Sequence, residues 1–435
     1  MESIVVACVQ QRMSILASRE EFEGDARRFL HQAQAKVAGL VVFPELAGLM
    51  LAPPLISSSK LGLIKRADQG KRPSAGLISR GLGRVSEAAA GMAGGGFRGS
   101  LLRLLEKNSA ALRDLYLETF GSLAREFKTP LLGGSLYLYD EETQSLRNRA
   151  YLFDVSGEVL GYQDKLNLSA EEQGLIVPGE ELRVFDTRMG RFGLLLGQDV
   201  MYPELGRLLT VQGAELILGI AACPGQVQAD LFRRALASRC EENQVYGAAA
   251  FLVGPNYLGQ EDKEDYHGQS ALLAPILLTE RRDGVLTQVG TNRTEGFIAA
   301  RMDADGLHSL WETSRLRTRR EMRLGNLGSV LAEMYEKGLT IEQAIEQRIV
   351  GPVEQQVPVQ EMLPAPLPES EAGFEPQLMP EPEAVLEPQP VPEPEVVLEP
   401  ELAPKPQEPE TDTLAEATVV ATPQIGAGEE DRAEQ

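Results

Sequence analysis

Gly190-Arg-Phe-Gly-Leu-Leu-Leu-Gly-Gln-Asp-Val-Met-Tyr-Pro-Glu-Leu-Gly-Arg207 reads as a strand, a tight turn and the start of a helix. Phe192 to Leu196 is a short apolar run, and it stops at Gly197. Pro203 suits the first helical position, where its missing N–H costs nothing, and Gly213 suits the residue just past the helix end. A strand turning sharply into a helix holds one group at the end of a sheet, and glycine tolerates the backbone such an elbow demands.

Outward from this elbow the same alternation recurs. Ile4 to Val9 and Leu40 to Phe43 read as strands around a helix from Arg19 to Lys36, and Pro44-Glu45 is a turn at a strand end. A helix from Leu101 to Glu126 is followed by strands at Pro130 to Leu138, at Arg149 to Phe153, and on to Asp164. Further strands are expected at Leu182 to Phe185, Glu215 to Ala222, Val245 to Val253 and Ser270 to Ala274. Helices are expected at Pro203 to Gln212, Asp230 to Asn243 and Leu331 to Glu346. Strands and helices alternating in this way predict one large α/β domain over 1–320, with a helical segment over 321–350.

Two regions depart from the pattern. Leu51 to Arg103 holds nine basic residues against Asp68 and Glu87, and five glycines between Gly91 and Gly99, so it reads as a basic, Gly-rich surface insertion. A lid or a docking surface for something acidic is the sharper alternative. Gly351 to Gln435 carries 20 acidic and 2 basic side chains and 17 of the 27 prolines. A twelve-residue repeat runs through it (Pro380-Glu-Pro-Glu-Ala-Val-Leu-Glu-Pro388, Pro392-Glu-Pro-Glu-Val-Val-Leu-Glu-Pro400). Proline withholds N–H donors and glutamates repel, so 351–435 is expected to be a disordered, extended, solvated spacer, with contact to a protein partner or to the 51–103 insertion as the alternative.

Nearly all of the formal charge of −22 therefore belongs to the tail, and no basic domain suited to nucleic acid remains. Cys8, Cys223 and Cys240 lack the spacing of a disulfide framework or a zinc site, and three scattered histidines cannot build a metal centre. With no basic leader and no long apolar stretch, the expectation is a soluble, cytoplasmic protein without a membrane span.

Three stretches carry chemistry when taken together. Glu45 lies in Val41-Val42-Phe43-Pro44-Glu45-Leu46-Ala47-Gly48, and Lys165 in Tyr162-Gln163-Asp164-Lys165-Leu166-Asn167, with Glu172 seven residues on. The elbow at Gly197 is the third. In this order and with these flanks the chain resembles the nitrilase superfamily of carbon–nitrogen hydrolases from about Ile4 to Glu312. Arg239-Cys240-Glu241-Glu242-Asn243 and Gly268-Gln269-Ser270 are further matching pieces.

The resemblance implies an α-β-β-α sandwich, no metal, no organic cofactor and a homo-oligomer. It also implies a general-base glutamate at Glu45, an oxyanion-stabilising lysine at Lys165 and an orienting glutamate at Glu172. The family's nucleophilic cysteine falls two residues before Asp199, which is Gly197. Asn167, Ala170 and Gln198 depart from the pattern nearby.

Cys8 and Cys240 read as packed core residues. Cys223 ends a strand where the site should open and is either a small strand-end residue or a displaced nucleophile. Three functions stay open. The first is a non-hydrolytic pseudoenzyme that binds a small amide- or carboxylate-like ligand or regulates a partner. The second is an amidohydrolase using Glu45-activated water or Cys223. The third is a scaffold subunit acting through its acidic tail.

Overall fold

Alternation along one strand decides the layering. In a computed structural model of the chain, β1 (Ile4–Arg12) sends Val6 and Cys8 into one apolar cluster and Ala7 and Val9 into another, all fully buried. Two faces buried at once require a layer on each side. The structure describes residues 3–55, 96–140, 143–258, 264–316, 318–319, 327–339 and 343. The chain divides into Met1–Val350 and Gly351–Gln435, and every described residue belongs to the first unit. The expected tail and its repeats, and all of 56–95 from the expected insertion, lie outside the described residues.

The first half-sheet joins β1 to β2 (Leu40–Val42), β3 (Leu131–Asp140), β4 (Ser145–Phe153) and β5 (Val159–Asp164), with β14 (Gly296–Met302) antiparallel on the other side of β1. The second joins β6 (Val184–Thr187), β7 (Gly190–Leu196), β8 (Leu216–Ala221) and β10 (Tyr246–Val253), extended by β12 (Ala271–Leu273) and β13 (Val285–Gln288). The halves connect where Gln11 and Arg12 pair with Leu252 and Val253. A separate ribbon pairs β9 (Cys223–Pro224) with β11 (Tyr266–His267).

Val6, Cys8, Leu40 and Leu132 of one half face Leu194, Leu196, Leu218 and Ala250 of the other in a common cluster. The outer face of the first half is covered by α1 (Arg19–Ala35) and α2 (Gly96–Phe127). There Phe22 and Phe43 each meet Phe120 edge-on at ring separations of 5.5 and 5.4 Å. The second outer face carries α3 (Pro203–Val211) and α4 (Gln226–Asn243), whose Leu209, Phe232 and Leu236 pack on Leu195, Ile217 and Phe251. Helix, sheet, sheet and helix are the four layers of the expected sandwich.

Boundaries differ in instructive places. The basic segment expected to begin at Leu51 as surface loops starts instead with buried Leu51, Ala52 and Pro53, in two short 3-10 turns. Helix α2 begins at Gly96, so the last residues of the expected insertion are helical. Helix α4 begins four residues before Asp230. The helix expected at Leu331 to Glu346 is found as α6 (Leu327–Glu336), closed by Gly338 at φ +59°. Between β14 and α6, α5 (Ala304–Thr313) lies where no helix is expected.

Candidate active site

Parallel pairing sets the location. Strands β1, β2 and β3 are mutually parallel, as are β7, β8 and β10, so their C-terminal ends share one edge. Glu45 follows β2, Lys165 follows β5, Gly197 follows β7 and Cys223 follows β8. Leu46, at φ +62°, turns the chain back after Glu45, and its N–H is held by Ser135 Oγ at 3.0 Å. All four residues line one cavity of about 290 Å³, together with Glu172, Tyr137 and Tyr266. Apolar walls come from Leu46, Met201, Leu231, Phe232 and Leu258.

At the polar end Lys165 Nζ lies 2.9 Å from Glu45 Oε1 and 2.7 Å from Glu172 Oε2. Asn148 Nδ2 donates to Glu45 Oε1 and to Glu172 Oε1, both at 3.0 Å. Ala222 N–H donates to Glu45 Oε2 at 2.9 Å, and Ser169 N–H to Glu172 Oε2 at 2.9 Å. All three charged residues are at most 4% exposed. Burial raises the Glu45 carboxyl above its ordinary value, Glu172 adds to this, and Lys165 opposes it. Burial alone would pull the Lys165 ammonium down, but Glu45 and Glu172 hold it above its ordinary range, so it is a firm cation. Two of its three N–H groups are taken by carboxylates.

Gly197 sits at φ +51°, a region that side chains with a Cβ enter at a cost. A Cβ added there would lie 2.7 Å from Lys165 Nζ and 2.9 and 3.0 Å from the Glu45 oxygens. The neighbours are the ends of flexible side chains, so a larger residue would press on both partners of the ion pair at once. Asp199 clasps the elbow to the lysine loop. Its carboxylate accepts from Leu166 N–H at 3.1 Å, from Asn167 N–H at 2.7 Å and Nδ2 at 3.1 Å, and from Leu196 N–H at 3.2 Å. Burial still pushes its carboxyl up to about 6. Gln198, beside it, is exposed at the cavity wall.

Cys223 reaches the same cavity from the β9 ribbon, where it pairs with His267 and is 8% exposed. Burial pushes its thiol well up, and Glu45 pushes in the same direction, so the sulfur is held protonated. Cys8 and Cys240 are fully buried, one in β1 and one in α4, away from this lining. Among the described residues no group of three or more His, Cys, Asp or Glu has the arrangement to hold a metal ion, and no helix is long and apolar enough to cross a membrane.

The elements thus bring Glu45, Lys165, Glu172, Gly197 and Cys223 into one place, as the sequence reading requires. Three contributors escape that reading: Asn148, because the expected strand starts one residue later; Ala222, because only its backbone N–H takes part; and Tyr266. Asn148 lies between Arg147 and Arg149 in β4, so the local sequence reads as a polar stretch and gives no signal of a buried bridging residue.

The carbon–nitrogen hydrolase family profile matches residues 5–303. The chain is 30% identical over 207 residues to the probable hydrolase YhcX of Bacillus subtilis, covering 45% of this chain and 39% of that protein. It is 27% identical over 205 residues to the omega-amidase Nit3 of Saccharomyces cerevisiae, covering 44% and 65%. The chain thus spans less than two thirds of the length of either curated relative. The crystal structure of Nit3 superposes with a TM-score of 0.51 at 22% identity, covering 74% of this chain and 97% of that one. A double mutant of the amidase from Nesterenkonia sp. AN1 in complex with acrylamide superposes with a TM-score of 0.52 at 19% identity, covering 78% and 97%. Both share this fold. A family match across more than half of the sequence, over the same strands and turns that build the cavity, establishes that the chain belongs to the carbon–nitrogen hydrolase family, within the nitrilase superfamily.

Proposed function

We propose that this protein is a non-hydrolytic, ligand-binding member of its family, with Gly197 at the position of the nucleophile. One observation carries the reading: a side chain at 197 would touch both Lys165 and Glu45, and the residue there has none. Lys165 keeps one N–H for a ligand carbonyl, Glu45 faces the ligand as an acceptor, and Glu172 positions the lysine. A small neutral amide fits this end, and the apolar wall fits its alkyl part. The amidase solved with acrylamide supplies a natural first probe. The ion pair alone is no proof of activity, because removing one buried charge would strand the other, which favours its retention on structural grounds.

The working amidohydrolase is the second reading. It is favoured by the intact Glu45–Lys165–Glu172 cluster and by a relative named as an omega-amidase. Water activated by Glu45 would then attack, with Lys165 stabilising the oxyanion. Cys223 is the weaker nucleophile, since it is held as a thiol. The full chain, assayed for ammonia release on a panel of primary amides, ureides and nitriles, should show no turnover. Turnover that disappears in Glu45→Gln would replace the first reading with the second.

A further inference from the structure

At the inner end of the cavity the charged groups are bonded to one another, while Asn148 Oδ1 is buried without a hydrogen-bond partner. Glu45 and Glu172 each accept from several donors, and Lys165 bonds both. Tyr137 donates towards Glu172 Oε1 at 3.5 Å. Tyr266 lines the same cavity and is only 4% exposed, yet its hydroxyl has no hydrogen-bond partner among the described residues. A hydroxyl on a largely buried residue that lines a cavity and bonds no neighbouring side chain has its proton available to whatever occupies that cavity.

The backbone that carries the ring is also fixed in advance. Tyr266 N–H donates to Gly254 O at 2.7 Å, Gly254 N–H returns a bond to Tyr266 O at 2.9 Å, and the residue pairs with Pro224 across the β9–β11 ribbon. A residue tied on both sides loses little freedom when a ligand arrives. Burial, with Glu45 and Glu172 nearby, keeps the phenol protonated, so it is a donor and never a phenolate at ordinary pH.

We propose that the Tyr266 hydroxyl is a ligand-binding group: it donates a hydrogen bond to the carbonyl oxygen of an amide seated against Lys165 and Glu45. This rests on the amide-binding reading above and adds a second donor to the one N–H that Lys165 retains. The ligand oxygen would then sit between a cation and a neutral hydroxyl, an arrangement that suits a carbonyl.

The test is an NMR titration of the full chain with butyramide, whose only acceptor is its amide oxygen. Tyr266→Phe, which removes one oxygen and keeps the ring, should raise the dissociation constant at least about fivefold without lowering the unfolding midpoint. A hydroxyl with a purely structural role would instead lower the midpoint and leave the titration alone. If the wild-type chain binds butyramide and the variant binds it equally well, the assignment of Tyr266 is wrong while the amide-binding reading stands. If the wild-type chain binds no butyramide, both fall together. Should the variant misfold, a crystal structure of the wild-type chain with butyramide decides: Tyr266 Oη within about 3.2 Å of the amide oxygen supports the assignment, and a separation beyond about 4 Å overturns it.

Discussion

Two turns look onto the same ion pair and are built in opposite ways. The elbow at Gly197 has the placement for a reactive group, with its absent Cβ directed at Lys165 and Glu45, but offers no atom to react. The ribbon at Cys223 offers a sulfur on the same cavity, but burial and the Glu45 charge keep it protonated. Placement against the ion pair and a sulfur atom are thus found at two different strand ends, which teaches that one cavity can present the two separately.

The largest effect that could break this comparison is in thiol reactivity. Gly197→Cys should create a sulfur next to a firm ammonium, which favours the thiolate. We expect iodoacetamide to label it at least about 100-fold faster than Cys223 in the unaltered chain, followed by mass spectrometry. The left-handed backbone would cost about 1–2 kcal/mol of stability, and Lys165 and Glu45 would shift by tenths of an ångström to admit the side chain. Equal or faster labelling of Cys223 would erase the distinction between the two turns.

A second effect separates the pair from the thiol that faces it. Lys165→Met leaves Glu45 and Glu172 buried and joined only through Asn148, and should cost about 3–5 kcal/mol in urea unfolding. The loss should be greater at pH 8 than at pH 5, because burial raises the Glu45 carboxyl and it takes up a proton more readily at the lower pH. Cys223→Ala, by comparison, removes one sulfur and should stay within about 1 kcal/mol.

The smallest effect concerns the clasp behind the elbow. Asp199 has its carboxyl raised to about 6, whereas an unfolded Asp titrates near 3.9. Between those values the folded chain binds the proton more tightly, so its contribution to stability is present below pH 4 and lost as pH rises through 6. The change is up to about 3 kcal/mol, read as the difference between wild type and Asp199→Asn across the pH series. Lys165, on the loop that Asp199 holds, opposes the shift. A difference that grows with pH in that window would reverse the sign and mean that the N–H donors outweigh burial.

Much of this was legible beforehand, for definite reasons. Val6 to Val9 alternate between two apolar faces, and a strand buried on both sides in turn demands two covering layers. Pro44, Pro203 and Gly213 mark chain reversals through properties that neighbours cannot override. Strand β14 was missed because Phe297, Ile298, Ala299 and Ala300 alternate weakly, and its place is decided by seven register pairs with β1. Leu51 to Pro53 were misread because the basic residues after them dominate the local composition, whereas burial follows from contact with distant strands.

Residue types and their order determined the family, the layers and which side chains would meet: a glutamate after β2, a lysine after β5 and a glycine after β7 have only one edge on which to gather. Tertiary structure alone decided how they are wired. That Asn148 bridges two carboxylates, that Ala222 supplies a backbone donor, that Cys223 is held as a thiol and that Tyr266 is left with a proton to give all depend on separations of a few ångströms between segments far apart in sequence. Local pattern sets which face a residue takes, but hydrogen bonding and desolvation depend on distance, and distance is known only once the chain has closed on itself.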